Sequence, residues 1–313
     1  MKYIDQFREG ERICDIYLCK TKQVAKTKAG KSYYSLVLQD KTGTIDAKVW
    51  ELNNGIAHFE ALDYIMVDAE VTSYQSNLQL NVRRIRVAKP GEYTPGDYLP
   101  VSEKDIPEMH RQLTAIIGSL SNPDLRRLAE SFFVEDREFV KSFCDHSAAK
   151  AVHHGFVGGL LEHTLSVVKL CDYFVSVYPY LNRDLLLCAA MFHDIGKTRE
   201  LSLFPENDYT DDGQLLGHIM IGAMMVSERI HGMSGFPEKT ASELVHCILA
   251  HHGELEYGSP KKPALAEALA LSLADNADAK LETMKEIMSG AVGGEWMGYN
   301  RFFESNLRPT TKL

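Results

Sequence analysis

The hydrophobic pattern of this chain changes period once, near residue 90, and that change limits its fold more than any other feature. Before it, apolar and polar residues alternate. "KSYYSLVLQD" (31–40) alternates, "KTGT" (41–44) turns, and "IDAKVWE" (45–51) alternates again, as half-buried strands do. "ERICDIYLCKTKQVA" (11–25) is an extended apolar and polar mixture, and "YIMVDAEVTSYQSNLQLNVRRIRVAK" (64–89) supplies two further strands around a polar turn. After it, apolar residues recur at helical spacing in seven segments. These are "IPEMHRQLTAIIGSL", "DLRRLAESFF", "GGLLEHTLSVVKLCDYFVSVY", "RDLLLCAAMFHDIGK", "GHIMIGAMMVSERIH", "EKTASELVHCILAHH" and "PALAEALALSLADNADAKLETMKEIM". The Pro- and Gly-rich stretch "AKPGEYTPGDYLPVS" (88–102) breaks both periods and reads as a linker.

A chain of 313 residues has room for two domains. Five short strands, with "NNGIAHFEALD" (53–63) as a short helix or loop between the third and fourth, follow the order of an OB-fold barrel. The expected architecture is multidomain: an N-terminal all-β OB-fold barrel over 1–90, a linker over 91–105, a C-terminal all-α helical bundle over 106–285, and a tail over 286–313. Charge separates the halves too. Residues 1–98 hold 14 Lys and Arg against 13 Asp and Glu, whereas the remainder holds 20 against 30. Ten of the 12 histidines lie between His146 and His252. A near-neutral module can approach a polyanion, and an acidic, histidine-rich one can hold cations.

If Leu36, Leu38, Ile45, Ala47 and Val49 point into the barrel, then Tyr33, Ser35, Val37, Asp46, Lys48 and Trp50 point out. Tyr33, Lys48 and Trp50, with Lys31 nearby, would then form a face that stacks bases and holds phosphates. The alternative is that Tyr33 and Trp50 cover the barrel end or pack against the other domain. No apolar run approaches the roughly 20 residues of a membrane span. The N-terminus "MKYIDQFREGERI" has charges where a signal peptide needs an apolar stretch. The six cysteines form no C-x-x-C pair and read as reduced core residues. A cytoplasmic protein without a membrane partner is expected.

Polar residues interrupt the apolar helices in a pattern. His163 lies in "LLEHTLSVV", His193 and Asp194 end "LLLCAAMFHD", His218 lies in "LLGHIMIGA", His251 and His252 end "ELVHCILAHH", and Asp275 lies in "LSLADNADAK". A buried imidazole or carboxylate is costly unless paired. One such residue is readily a hydrogen-bonded core histidine. Five helices with the same interruption call for one shared partner, and a divalent metal supplies it.

His…His-Asp…His…His…Asp on successive helices, over roughly 150–285, resembles the HD-domain superfamily of metal-dependent phosphohydrolases. An OB-like barrel followed by "HHGFVGGLLEHTLSV", "FHDIGK", "GHIMIG" and "HHGELEYGSPKKPALAEALALSLADNADAK" is similar, over nearly the whole chain, to the YhaM family of 3′–5′ exoribonucleases. Gly258-Ser-Pro260 departs from the Gly-Tyr-Pro pattern of the HD-GYP cyclic-dinucleotide phosphodiesterases. The resemblance implies two divalent ions. His163, His193, Asp194 and Asp275 would hold the first, and Asp194, His218 and one or both of His251 and His252 the second, with His251 preferred. A mixed histidine and carboxylate site with open positions suits Mn²⁺ first, with Fe²⁺ and Co²⁺ as alternatives.

The implied chemistry is two-metal activation of hydroxide for in-line attack on single-stranded RNA, releasing nucleoside 5′-monophosphates. Single-stranded DNA stays open as a substrate, because 2′-hydroxyl recognition has no motif here. Asp194 is the expected catalytic bridge. Lys197 either contacts a phosphate oxygen or is a solvated helix-end lysine. His153 and His154 either line the substrate pocket or form a hydrogen-bonded pair that fixes their loop. His231 and His246 fall outside the ligand pattern and read as structural. The aromatic, glycine-rich tail suits a neighbouring subunit or the barrel, and a homo-oligomer is expected. Two other functions share these residues: a nucleotidase or phosphodiesterase for small nucleotides, and a nucleic-acid-binding protein with a regulatory metal site. The barrel argues against the first, since a mononucleotide needs no separate stacking platform. The intact ligand set argues against the second.

Overall fold

The alternating segments form strands β1 (Arg12–Lys26), β2 (Ser32–Asp40), β3 (Gly43–Val49), β4 (Tyr64–Tyr74) and β5 (Asn77–Val87) of a closed barrel, in the order β1-β2-β3-β5-β4. The computed structural model describes residues 1–75, 77–150 and 154–311. Closure depends on the length of β1. Its first half pairs with β4 (Arg12↔Glu70 to Leu18↔Tyr64), and from Leu18 onward it pairs with β2, with a bulge between Cys19 and Thr21. A bulge bends a strand and increases its twist, so one strand serves both neighbours. The parallel pairing of β3 with β5 at Ala47↔Leu80 completes the ring.

Leu36, Leu38, Ala47, Val49, Ile65, Val67, Val71 and Leu80 fill the interior, and the residues between them face outward, as period-two alternation requires. Residues 53–63 form turns and loop with no helix, and Phe59 from this loop is buried in the barrel core. The stretch expected as a free linker packs down in part. Tyr93 stacks on Tyr64 at 3.9 Å between centroids, and Tyr98 and Leu99 are buried.

The remainder is helical: α1 (Ile106–Gly118), α2 (Pro123–Phe133), α3 (Arg137–Asp145), α4 (Gly159–Val177), α5 (Arg183–Phe192), α6 (Lys197–Glu200), α7 (Asp211–His231), α8 (Glu238–Leu249) and α9 (Ala266–Met288). A hairpin of β6 (Gly298–Asn300) and β7 (Ser305–Leu307) follows. Side-chain oxygens of Asp105, Asn122, Asp136, Asn182 and Thr210 accept first-turn N–H bonds at the starts of α1, α2, α3, α5 and α7, which fixes those starts. Helix α5 is buried from Asp184 to Phe192 and packs on α2, α4, α8 and α9. This explains why "LLLCAAMF" has no polar face. Chain contacts divide the molecule into Met1–Val101 with Leu203–Asp208, and Ser102–Ser202 with Tyr209–Leu313.

Candidate metal centre

The end of α5 delivers His193 and Asp194 into the interior of the helical unit, and both are essentially inaccessible to solvent. Gly196 lets the following turn approach α7. A Cβ at Gly196 would overlap the carbonyl oxygen of His218 and crowd the amide of Gly222. Glycine in "FHDIGK" and "GHIMIG" therefore reflects one close backbone crossing. Helix α7 itself kinks at Gly217 (φ 71°, ψ 156°), a conformation that favours glycine, and the kink sets the direction of His218.

Two groups of atoms face each other across Asp194. On one side His163 Nε2 lies 3.1 Å from Asp275 Oδ1, 3.2 Å from His193 Nε2 and 3.5 Å from Asp194 Oδ2. On the other side His218 Nε2 and His251 Nε2 lie 3.5 and 3.7 Å from Asp194 Oδ1. His252 joins this second group, close enough to share an ion with His218 and His251. The six ligand candidates and His252 thus come together from α4, α7, α9 and the ends of α5 and α8.

The protonation pattern follows from what each imidazole touches. His163 Nδ1 faces Asp278 Oδ2 at 2.7 Å, and His218 Nδ1 faces Glu200 Oε1 at 3.0 Å. Nδ1 of His193, His251 and His252 faces the carbonyl oxygens of Ala190, Ile248 and Tyr257 at 2.8, 2.7 and 2.8 Å. Carbonyls and ionised carboxylates only accept. All five rings therefore donate from Nδ1 and leave Nε2 turned inward. The Nε2 atoms of His163 and His193 meet 3.2 Å apart, flanked by Asp194 and Asp275. Asp194 Oδ1, His218 Nε2 and His251 Nε2 are buried without any hydrogen-bond partner. A divalent cation in each group would satisfy every one of these atoms, so the residues fit a metal centre.

Electrostatics agree with that fit. Burial lowers His193 and, with its histidine neighbours, pushes His251 well below the usual imidazole range, so both rings are neutral. Burial opposes ionisation of Asp194, but Lys197 and the surrounding imidazoles outweigh it and keep the carboxyl ionised. Burial alone would also lower His163, yet Asp275 and Asp278 raise it to about 9.

Lys197 is neither solvated nor free. Its Nζ sits 2.6 Å from Asp194 Oδ2 in a mostly buried position. His154 is 1% exposed, and its Nε2 meets Asp278 Oδ2 at 3.1 Å. It stands behind His163 and lines no open surface. His153 lies outside the described residues. His246 accepts the Ala264 amide through Nε2, and His231 Nδ1 bonds the Ser227 carbonyl. On the barrel, Tyr33 and Trp50 come together with their ring centroids 4.5 Å apart. Ser35 pairs with Lys48 across β2 and β3, so the ring residues two positions beyond each are neighbours. Lys48 Nζ reaches Ser35 Oγ at 2.7 Å, and Lys31 Nζ lies 4.0 Å from Glu51.

Sequence reading missed Glu200 and Asp278. Asp278 follows Asp275 by three residues, which puts both carboxylates on one helix face, and that spacing was its signal. Glu200 had none, since "KTRE" reads as a solvated turn.

The HD-domain family model matches residues 160–280. A curated protein named 3′-5′ exoribonuclease YhaM, from Geobacillus sp. (strain WCH70), is 35% identical over 302 residues, covering 94% of this chain and 90% of its own length. Among solved structures, the second OB-fold domain of replication protein A from Methanococcus maripaludis matches 29% of this chain and 96% of its own, at 21% identity and a TM-score of 0.22. The HD domain of the L. monocytogenes phosphodiesterase PgpH matches 41% of this chain and 73% of its own, at 20% identity and a TM-score of 0.28.

Proposed function

The chain belongs to the YhaM family of 3′–5′ exoribonucleases, and on that premise we propose how its residues divide the work. It is a metal-dependent 3′–5′ exoribonuclease with a divalent-metal HD domain. In our reading the metal centre is binuclear. His163, His193, Asp194 and Asp275 would hold one ion, and Asp194, His218 and His251, joined by His252, would hold the other. The observation that carries this reading is the trio of buried, partnerless atoms, Asp194 Oδ1, His218 Nε2 and His251 Nε2, on the far side of Asp194 from the first group. Mn²⁺ is the favoured ion, ahead of Fe²⁺ and Co²⁺, because the donors are mixed nitrogen and oxygen.

Divalent ions bound there supply the charge that activates water and neutralises the phosphodiester oxygens. The chain's own residues do the rest. Asp194 turns one oxygen to each position. Lys197 holds a fixed positive charge against Asp194 Oδ2 and is the ammonium group available to a phosphate oxygen. Attack of water on phosphorus with departure of the 3′-oxygen releases a nucleoside 5′-monophosphate.

The barrel, assigned to residues 1–90, captures single-stranded RNA through Tyr33, Trp50, Lys31 and Lys48, and the hydrolase unit spans 106–285. Stacking tolerates any base and either sugar, so single-stranded DNA is a second substrate. Trp296, Tyr299 and Phe302 are exposed in the C-terminal segment and support a homo-oligomer. Buried, unbridged cysteines such as Cys171, Cys188 and Cys247 suit a reducing cytoplasm. No described helix is long and apolar enough to cross a membrane.

The test is incubation of 5′-labelled RNA and DNA with Mn²⁺, with products resolved by length. Stepwise shortening from the 3′ end that stops on chelation is expected. Cleavage of mononucleotides or dinucleotides alone, with long strands untouched, would contradict the assignment of the barrel to substrate capture.

A further inference from the structure

The imidazoles of the centre are held from behind in two different ways. Ala190 lies three residues before His193, and Ile248 three before His251. Their carbonyls hold those rings from the same helical turn, so any sequence that keeps the helix keeps the bond. His163 and His218 instead depend on carboxylates from other elements, Asp278 on α9 and Glu200 on α6. Each half of the centre therefore contains one ring fixed by its own helix and one fixed by a distant carboxylate, with His252 in the second half held by the Tyr257 carbonyl.

We propose that Asp278 and Glu200 are positioning residues that each control one metal position: Asp278 the position of His163, His193 and Asp275, and Glu200 the position of His218 and His251. The inference rests on the binuclear reading above.

Asp278 is buried one helical turn beyond Asp275. Asp275 faces the ligand cluster directly, and Asp278 stands behind His163. Its Oδ2 accepts from His163 Nδ1 and from His154 Nε2. His154 is held there in a left-handed backbone conformation (φ 59°), and its carbonyl accepts the Ala148 amide. This anchors the carboxylate from a second direction.

Glu200 acts at the kink of α7. One oxygen, Oε1, accepts both the backbone N–H of His218 at 2.9 Å and its Nδ1–H at 3.0 Å. The carboxylate thus fixes main chain and ring together just after Gly217. In both pairs the negative oxygen forces hydrogen onto Nδ1 and makes Nε2 a stronger donor to a cation. An amide of the same shape carries no charge and can present its NH₂ group, which favours the wrong tautomer.

The experiment titrates the full-length, metal-stripped protein with Mn²⁺ alone by calorimetry, then locates the bound ions by anomalous scattering. Wild type is expected to take two ions. Asp278→Asn should weaken the ion at His163 and Asp275, and Glu200→Gln the ion at His218 and His251, each by about 10–100-fold with the other ion retained. Melting of the metal-free variants separates positioning from packing. Affinity lost at near wild-type metal-free Tm supports the proposal, and lowered metal-free Tm with two tightly held ions overturns it. If either variant fails to fold, Asp278→Glu or Glu200→Asp, which keep the charge, replace it. Recovery of folding with some recovery of affinity at the matching position supports the proposal, and wild-type affinity at both overturns it. Wild type binding two ions, with both variants equally tight, overturns the division alone. Wild type binding one ion overturns the binuclear reading and the division with it.

Discussion

The outer face of the barrel and the interior of the helical unit both gather ring and ionisable side chains, but on opposite terms. On the barrel, Tyr33 rests on Trp50, Lys48 bonds Ser35, and Lys31 lies near Glu51. Each group has a protein partner, solvent, or both. Inside the helical unit, His193 and His251 are wholly buried, and three polar atoms around Asp194 have no partner at all. A buried polar group left unsatisfied costs about 1–3 kcal/mol. Solvent can serve the polar groups of the barrel face, whereas the interior cluster is energetically incomplete without a cation. The contrast ties the helical unit's stability to a bound cation and leaves the barrel face independent of one.

The sharpest break of this comparison is Asp194→Ala. Hydrolysis should fall to background while binding of long RNA, measured by filter retention, stays near wild type. Near wild-type cleavage would mean that the "HD" pair is not catalytic. Next in size is removal of the ions. Saturation at 100 times Kd stabilises by about 2.7 kcal/mol per site, so chelation should lower Tm and Mn²⁺ should restore it. A Tm indifferent to chelator would leave the orphaned atoms unexplained.

The barrel prediction is smaller and confined to binding. Base stacking is worth about 1–3 kcal/mol per base. Because Tyr33 and Trp50 lie on each other, truncating both to Ala should cost less than two independent contacts. Long-RNA affinity should drop by one to two orders of magnitude, and kcat/KM for a dinucleotide should barely change. Equal losses on both substrates would mean that the rings support the fold instead.

The smallest effect is on pH. The metal-free centre holds a proton on His163 up to about pH 9, and an ion must displace it. Mn²⁺ affinity should therefore rise from pH 7 to 9 and then level, with proton release visible in calorimetry across buffers. The sign for stability is the reverse. A raised imidazole pKa stabilises the metal-free fold below the ordinary imidazole range, and that contribution disappears as pH rises through about 9. Affinity independent of pH would contradict the raised His163 pKa.

How much of this was legible in the sequence depended on whether a residue's surroundings were local. His163, His193, Asp194, His218, His251 and Asp275 stood out because each interrupts an apolar helical run, and the barrel face followed from strict alternation in β2 and β3. Asp278 lay one turn after Asp275 in the same helical segment, but its partners His154 and His163 come from distant parts of the chain. Glu200 sat in a four-residue helix that packs on α7. His154 was legible as a polar residue near the site, yet only the fold put it behind His163. The loop at 53–63 lacks the helix its length allowed, because Phe59 draws that segment into the barrel core.

Asp194 is proposed to serve two cations at once, and those ions can be counted in place. Anomalous scattering from Mn²⁺-loaded crystals should give two peaks per chain, one among His163, His193, Asp275 and Asp194 Oδ2, and one among His218, His251 and Asp194 Oδ1. A single peak, with His218 turned away from it, would contradict the account and leave only the fold standing.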